Sequence, residues 1–231
     1  MGITIRGLRR PVVLMGPPGG GKGTQAQQLA GRYGVPHIST GEMFREHVRQ
    51  GTELGRRARA IMDRGDLVPD DIVVAMIEER IARPDCTEGF VLDGFPRTVP
   101  QAQTLEALLH RTGRPDPVIV LIEVDPSALL RRLTGRRVCK ACGEIYNIYD
   151  HPPKAPGRCD FDGGELVQRD DDRVEVIEER LVAYREQTEP VIEYFHGHQT
   201  VVVLDGGAPP EAVTRALIET VDREEAHDGH L

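Results

Sequence analysis

Val12-Val13-Leu14-Met15-Gly16-Pro17-Pro18-Gly19-Gly20-Gly21-Lys22-Gly23-Thr24 sets an apolar run, a glycine loop and a lysine in consecutive order. Val12 to Met15 reads as a buried strand, and Gly16 to Gly21 as a loop whose backbone N–H groups turn inward without interference from Cβ atoms. Lys22 adds a point charge at the end of that loop, and Gln25, Ala26, Gln27, Gln28, Leu29 and Ala30 are good helix formers. The loop thus opens into a helix whose first amides and dipole favour an anion. Strand, loop and helix make a phosphate cradle from Gly19, Gly20, Gly21, Lys22, Gly23 and Thr24. The strict P-loop pattern has Ser or Thr directly after the lysine, whereas here Gly23 intervenes.

Working outward, the first helix should stop near Gly34, and Pro36 to Gly41 reads as a short strand whose hydroxyls cap a helix over Glu42 to Arg45. A second helix is expected over Leu54 to Arg64 with Gly65 ending it, and a third from Val68-Pro69-Asp70 through Ile81. Phe90 to Gly94 is a buried strand followed by a helix over Gln101 to His110. Val118 to Val124, apolar almost throughout, marks a central parallel strand. Helices from Pro126 to Leu133 and Pro210 to Val221 flank a last strand, Val201 to Leu204. The alternation calls for an α/β fold, a doubly wound parallel sheet with ligands at the carboxyl ends of the strands. Gly135 to Asp172, rich in Pro, Gly, Cys and Asp, breaks the alternation and reads as an insertion. After it, Asp170-Asp171-Asp172-Arg173-Val174-Glu175 reads as a capping box opening a helix with Val174, Ile177, Leu181 and Tyr184 on one face. The polar tail from Arg223 to Leu231 is expected to fray.

The length, 231 residues, suits one domain with insertions. A net charge of −8 disfavours a general nucleic-acid or anionic-membrane binder, so any anion site must be local. No apolar run reaches the roughly 20 residues of a membrane span, and the first residues lack a signal-peptide core. A cytoplasmic protein is expected. Cys86 stands alone while Cys139, Cys142 and Cys159 cluster, which is not a disulfide framework. Cys139-Lys140-Ala141-Cys142 and Cys159-Asp160-Phe161-Asp162 form two knuckles of equal spacing. Three thiolates with the Asp162 carboxylate suit a tetrahedral Zn2+, and a site saturated by protein ligands is structural. Asp160 is the rival ligand, disfavoured by its adjacency to Cys159.

Two signatures, GPPGGGKGT at 16–24 and Asp93-Gly94-Phe95-Pro96-Arg97 followed by Gln101, resemble the adenylate kinase family, whose bacterial members include forms with a long zinc-bearing lid. Ser39-Thr40-Gly41-Glu42-Met43-Phe44-Arg45 and Gly135-Arg136-Arg137 fall at the family's intervals, so the resemblance covers roughly residues 10 to 220. It implies a P-loop core (1–38, 69–134 and 173–231), an AMP-binding insertion (39–68) and a zinc-braced, β-rich lid (135–172). It also implies reversible, Mg2+-dependent transfer of the terminal phosphoryl group of ATP to AMP, giving two ADP, with lid closure over the nucleotides. A cytoplasmic monomer without nucleic-acid or membrane partners is the corresponding expectation.

By the same resemblance, Arg132, Arg136, Tyr146 and Ala208 join the P-loop on the ATP side. Thr40, Arg45, Asp66, Leu67, Val68, Gly94, Arg97 and Gln101 hold AMP, and Arg169 and Arg180 converge on the transferred group. Phosphoryl transfer needs such cations, because catalysis there is mostly alignment and electrostatic stabilisation; Lys22, Arg97, Arg136, Arg169 and Arg180 are the catalytic candidates. Arg173 and Arg180, seven apart, can both point into a cleft, whereas Arg169 or Arg173 taken alone reads as a solvated salt bridge. Gln101 offers a donor and an acceptor matching the adenine edge. Asp93, at a strand end, either holds Mg2+ through water or only orders the loop. The histidines lack ligand spacing and read as surface or packing residues. Relatives often carry Lys at the position of Ala208, which leaves selection for ATP open. Rival readings are a kinase for UMP or CMP and a P-loop zinc-ribbon protein touching RNA; Gln101, the long lid and the acidic balance weigh against them.

Overall fold

The strand that enters the glycine loop, β1 (Val12–Met15), is the middle of a five-stranded sheet. The structure is a computed structural model and describes residues 7–227. β3 (Val91–Asp93) and β4 (Val118–Glu123) flank β1, with β2 (His37–Ser39) and β8 (Val201–Asp205) at the edges, and every pairing is parallel. The register sets Leu14 beside Asp93, so the carboxylate emerges next to the start of the loop. Val118 to Ile122 are all buried, as an apolar run sandwiched between helix layers should be. One face carries α1 (Lys22–Tyr33) and α9 (Pro210–His227), with Val12, Leu14 and Val120 packed against Leu29, Leu217 and Val221. The other carries α4 (Asp70–Ile81), α5 (Val99–Arg111) and α8 (Glu189–His196), with Val13, Leu92 and Ile119 among Ile77, Leu105 and Phe195.

Two excursions leave this core. α2 (Thr40–Arg49), capped by the Ser39 hydroxyl, packs against α3 (Glu53–Met62) so closely that a Cβ on Gly55 would lie 2.1 Å from the His47 carbonyl oxygen. α6 (Pro126–Gly135) runs into an antiparallel sheet of β5 (Arg136–Cys139), β6 (Ile145–Asn147) and β7 (Leu166–Val167), in the order β6-β5-β7. The buried centre of this small sheet is Cys139, Tyr146, Cys159 and Leu166. The chain returns through α7 (Val174–Ala183) and a π-helical turn, Tyr184–Thr188, into α8.

Three expectations need correction. Asp170–Asp172 forms a 3-10 turn and no side chain caps α7, because the fully buried Asp172 carboxylate is taken by Arg136 and Arg180. The buried face of α7 holds Val176 and Ile177 while Val174 is exposed, and Arg173 turns outward to the Asp170 carbonyl instead of into the cleft. The helix expected to end at Val221 continues to His227, where the Glu225 carboxylate accepts from the Arg9 and Arg10 amides. Of the tail expected to fray, 228–231 lie outside the described residues.

Gly55→Ala tests the α2–α3 contact. The added methyl must push two backbones apart, with an expected loss on the order of 1–3 kcal/mol. Amide exchange should quicken across α2 and α3 while α1 and α9 keep their protection, and unchanged exchange there would show that the close contact is relaxed.

Candidate functional site

A cleft of about 1380 Å3 opens at the carboxyl ends of β1, β2 and β3 and is roofed by the three-stranded sheet of the insertion. Its floor is the glycine loop. Gly16, at φ 138°, takes a conformation L residues avoid, and a Cβ there would fall 2.3 Å from the Ile122 carbonyl oxygen. Beyond the loop the Lys22 ammonium curls back and donates to the Gly16 and Pro17 carbonyls, at 2.7 and 2.8 Å. Burial, then the charges of Arg97, Arg180 and Arg136, lower its pKa to about 8, with Asp93 acting the other way.

Asp93 faces the loop from β3. A Cβ on Gly23 would lie 3.4 Å from Asp93 Oδ2, so glycine after the lysine keeps open the space between loop and carboxylate. Burial disfavours the Asp93 charge, but a contact from His37 and the charges of Lys22 and Arg97 outweigh it and hold the pKa at about 2. His37 Nε2 lies 3.5 Å from Asp93 Oδ2 and borders the cleft, so of the surface and packing readings it takes the second.

Arg45, Arg97, Arg136, Arg169 and Arg180 all line this cleft. So many like charges require counter-charges, and the sequence had not marked them out. Arg136 forks onto Asp172 at 2.8 and 2.5 Å; burial opposes its charge, but Asp172 outweighs that and raises its pKa. Arg180 reaches Asp172 Oδ1 and Asp171 Oδ2, both at 3.1 Å. Glu42 Oε1 accepts from Arg45 and Arg169, each at 2.6 Å, and so joins α2 to the segment after β7. Burial, then Arg136 and Arg45, lower the Arg169 pKa to about 10, and burial lowers that of Arg97 with Arg180 assisting. The cluster is a strained concentration of positive charge that an oligophosphate would relieve. The only sequence signals for these acids were the run Asp170-Asp171-Asp172, read as a cap, and Glu42 inside the Ser39-to-Arg45 motif.

At one end the cleft narrows to a recess lined by Thr40, Asp66, Leu67, Val68, Gly94, Arg97 and Gln101. The Gly94 carbonyl accepts from the Thr40 hydroxyl and from Arg97 Nε, both at 2.8 Å. Buried Gln101 accepts from the Arg97 amide at 2.8 Å and donates to Asp70 Oδ1 at 2.6 Å. The Asp66 carboxylate turns away to Arg64. At the other end lie Gly19, Gly20, Gly21, Thr24, Arg132 and Ala208. Gln25 ties the helix after the loop to that wall, donating to the Pro210 carbonyl at 3.1 Å and accepting from Thr214 at 2.8 Å. Tyr146 borders the cleft, but its hydroxyl accepts from the Asp160 amide at 2.8 Å and lies 3.5 Å from Cys159 Sγ.

Cys139, Cys142, Cys159 and Asp162 offer ligand atoms all within 4.8 Å of one another. Cys142 and Cys159 sulfurs are 3.6 Å apart, and Cys139 Sγ is 3.3 Å from Asp162 Oδ1. A tetrahedral metal with metal–sulfur bonds of about 2.3 Å sets its sulfurs about 3.8 Å apart, so these donors fit one ion. Although burial raises the Cys159 pKa, the Tyr146 hydroxyl and the amides of Asp162 and Phe161 lower it below the ordinary thiol value, which suits a ligating thiolate.

Residues 14–200 match the family model described as adenylate kinase. The chain is 45% identical over 212 residues to the adenylate kinase of Thermosipho melanesiensis, covering 92% of this chain and 99% of that protein. It is 51% identical over 184 residues to that of Listeria monocytogenes, covering 80% and 86%. It is also 48% identical over 202 residues to that of Methanocella arvoryzae, covering 87% and 94%.

The lowered pKa of Lys22 has a measurable sign. Between about 8 and 10.5 the folded chain has released a proton the unfolded chain still holds, so stability gains with rising pH there; below 8 the penalty for burying the charge is fully present. Melting of the ligand-free protein across pH 7 to 10.5 should show this rise relative to Lys22→Met, and parallel curves would show that the ammonium is not desolvated.

Proposed function

The chain belongs to the adenylate kinase family, and from that premise we propose that it transfers the terminal phosphoryl group of ATP reversibly to AMP, giving two ADP. The observation that carries this reading is Lys22 with Arg45, Arg97, Arg136, Arg169 and Arg180 lining one cleft between a phosphate cradle and a narrow recess. Gly19 to Gly23 and Thr24 wrap the ATP phosphates with their amides, while Arg132, Arg136, Tyr146 and Ala208 border the nucleotide on that side. Thr40, Asp66, Leu67, Val68, Gly94 and Gln101 surround the AMP base and sugar, and Arg45 and Arg97 grip its phosphate. Lys22, Arg97, Arg136, Arg169 and Arg180 then stand around the moving group and follow the charge that spreads over its oxygens. The attacking AMP oxygen is already anionic, so no residue has to take a proton from it.

Asp93, an acceptor-only carboxylate beside the loop, would hold Mg2+ through water; the ion would neutralise charge on the nucleotide phosphates. Division into a core (1–38, 69–134 and 173–231), an AMP-binding insertion (39–68) and a lid (135–172) assigns each job to one body. The lid excludes water, and structural Zn2+ held by Cys139, Cys142, Cys159 and Asp162 braces it. We take the enzyme to work as a cytoplasmic monomer on ATP, AMP and ADP. No described helix is long and apolar enough to cross a membrane.

A coupled assay with ATP and AMP, UMP, CMP or GMP tests the reaction. AMP should be the preferred acceptor, and equal turnover of UMP or CMP would move the chain to the pyrimidine readings. Arg97→Ala should cost on the order of 3 kcal/mol of transition-state stabilisation, affecting both KM for AMP and kcat; unchanged values would remove it from the site.

For the lid, protein purified without added metal should contain one zinc per chain. Cys159→Ser should lose it and melt lower, while retaining turnover at temperatures where it stays folded. Abolished turnover in that folded variant would mean the metal does more than brace.

A further inference from the structure

We infer that Asp70, a residue outside the recess, dictates which purine monophosphate the enzyme accepts by locking the orientation of the Gln101 amide. The inference rests on the AMP reading above. A glutamine amide is nearly symmetrical in shape, so on its own it can turn over and exchange its donor and acceptor. Gln101 cannot. Its oxygen accepts the Arg97 amide N–H at 2.8 Å, and its nitrogen donates to Asp70 Oδ1 at 2.6 Å. The backbone amide can only donate and an ionised carboxylate can only accept, so a turned amide would face a donor with its NH2 and a carboxylate with its oxygen. Both contacts would become repulsive within a buried network, where an unmade hydrogen bond costs most.

Asp70 is itself fixed. Its other oxygen accepts the Thr98 hydroxyl at 2.7 Å, it is the first residue of α4, and Thr98 caps α5. The lock therefore spans two helix starts and the recess.

One N–H and one lone pair of Gln101 remain for a ligand, in a fixed order. Adenine presents a lone pair at N1 beside an N–H at its 6-amino group and fits that order. Hypoxanthine has nearly the same shape but presents N1–H beside a C6 carbonyl, the reverse. A free amide would turn over and serve both; a locked one serves adenine. Asp70 is thus a positioning residue for base selection, acting through Gln101 and touching no reacting atom.

The test compares AMP with IMP, which differ at that edge alone. Asp70→Asn keeps the shape, but its own amide can offer either NH2 or oxygen to Gln101, so of the two contacts that oppose a turned amide only the one to the Arg97 N–H remains. The ratio of kcat/KM for AMP to that for IMP should fall by about tenfold, because one of the two contacts that penalise the reversed amide is gone. KM for ATP, bound at the far end of the cleft, should stay unchanged. Adding Gln101→Leu to Asp70→Asn should give no further loss of selectivity beyond Gln101→Leu alone, since the two act as one unit. Asp70→Ser, whose hydroxyl both donates and accepts, provides a second variant should the first fold poorly. A smaller fall in the ratio, or additive losses in the double variant, would overturn the inference. Failure of the unaltered enzyme to use AMP would instead overturn the proposed reaction.

Discussion

Like charges crowded into one cleft are the constraint around which this molecule is built. Lys22, Arg97, Arg169 and Arg180 hold their protons less firmly through burial and the neighbouring arginine charges, while Asp172 raises the pKa of Arg136. Such a cluster stands only if carboxylates are interleaved with it, and Asp172, Asp171, Glu42 and Asp93 are those carboxylates. Burying an ion pair gains little by itself, because desolvation offsets the Coulomb attraction. What the arrangement supplies is geometry. Asp172, fully buried, aims Arg136 from β5 and Arg180 from α7 at one region, so the roof and the returning helix share a single anchor.

The roof poses a different problem. Its buried centre is four residues, Cys139, Tyr146, Cys159 and Leu166, far too small to hold three short strands by apolar contact alone. Two of those four are among the donors of the candidate metal site, and a third, Tyr146, bonds to one of them. Core and candidate metal site are therefore built from the same residues.

Much of this was readable from the chain. Apolar runs located β1, β3, β4 and β8, and in β1 and β4 the run reflects cover on both faces; β2, with only Ile38 apolar, was located by the Pro36 before it and the hydroxyls at its end. The glycine loop and the paired CxxC and CxxD knuckles carried their chemistry in local spacing. The partners of the arginines did not. Arg136 and Asp172 are 36 residues apart, Arg169 and Glu42 are 127 apart, and nothing local distinguishes a buried anchor from a helix cap in Asp-Asp-Asp. Arg173 was misplaced for a similar reason: seven residues share a helix face only if both lie in the helix, and α7 begins after it. The contact of His37 is with a neighbouring strand's aspartate, which no spacing along the sequence announces.

α9 closes one face of the large sheet, with Leu217 and Val221 against Leu14, Val120 and Leu29. A ribosome making this chain releases every strand of the large sheet before that cover. Until α9 follows, the apolar face it covers has only α1 upon it. Closure then joins residues about 190 or more apart, with Tyr33 bonding Asp222 and the Arg9 and Arg10 amides meeting Glu225. The second half of α9 acts as a clasp, and a copy cut short before Val221 would carry the glycine loop on a sheet with one face open to aggregation.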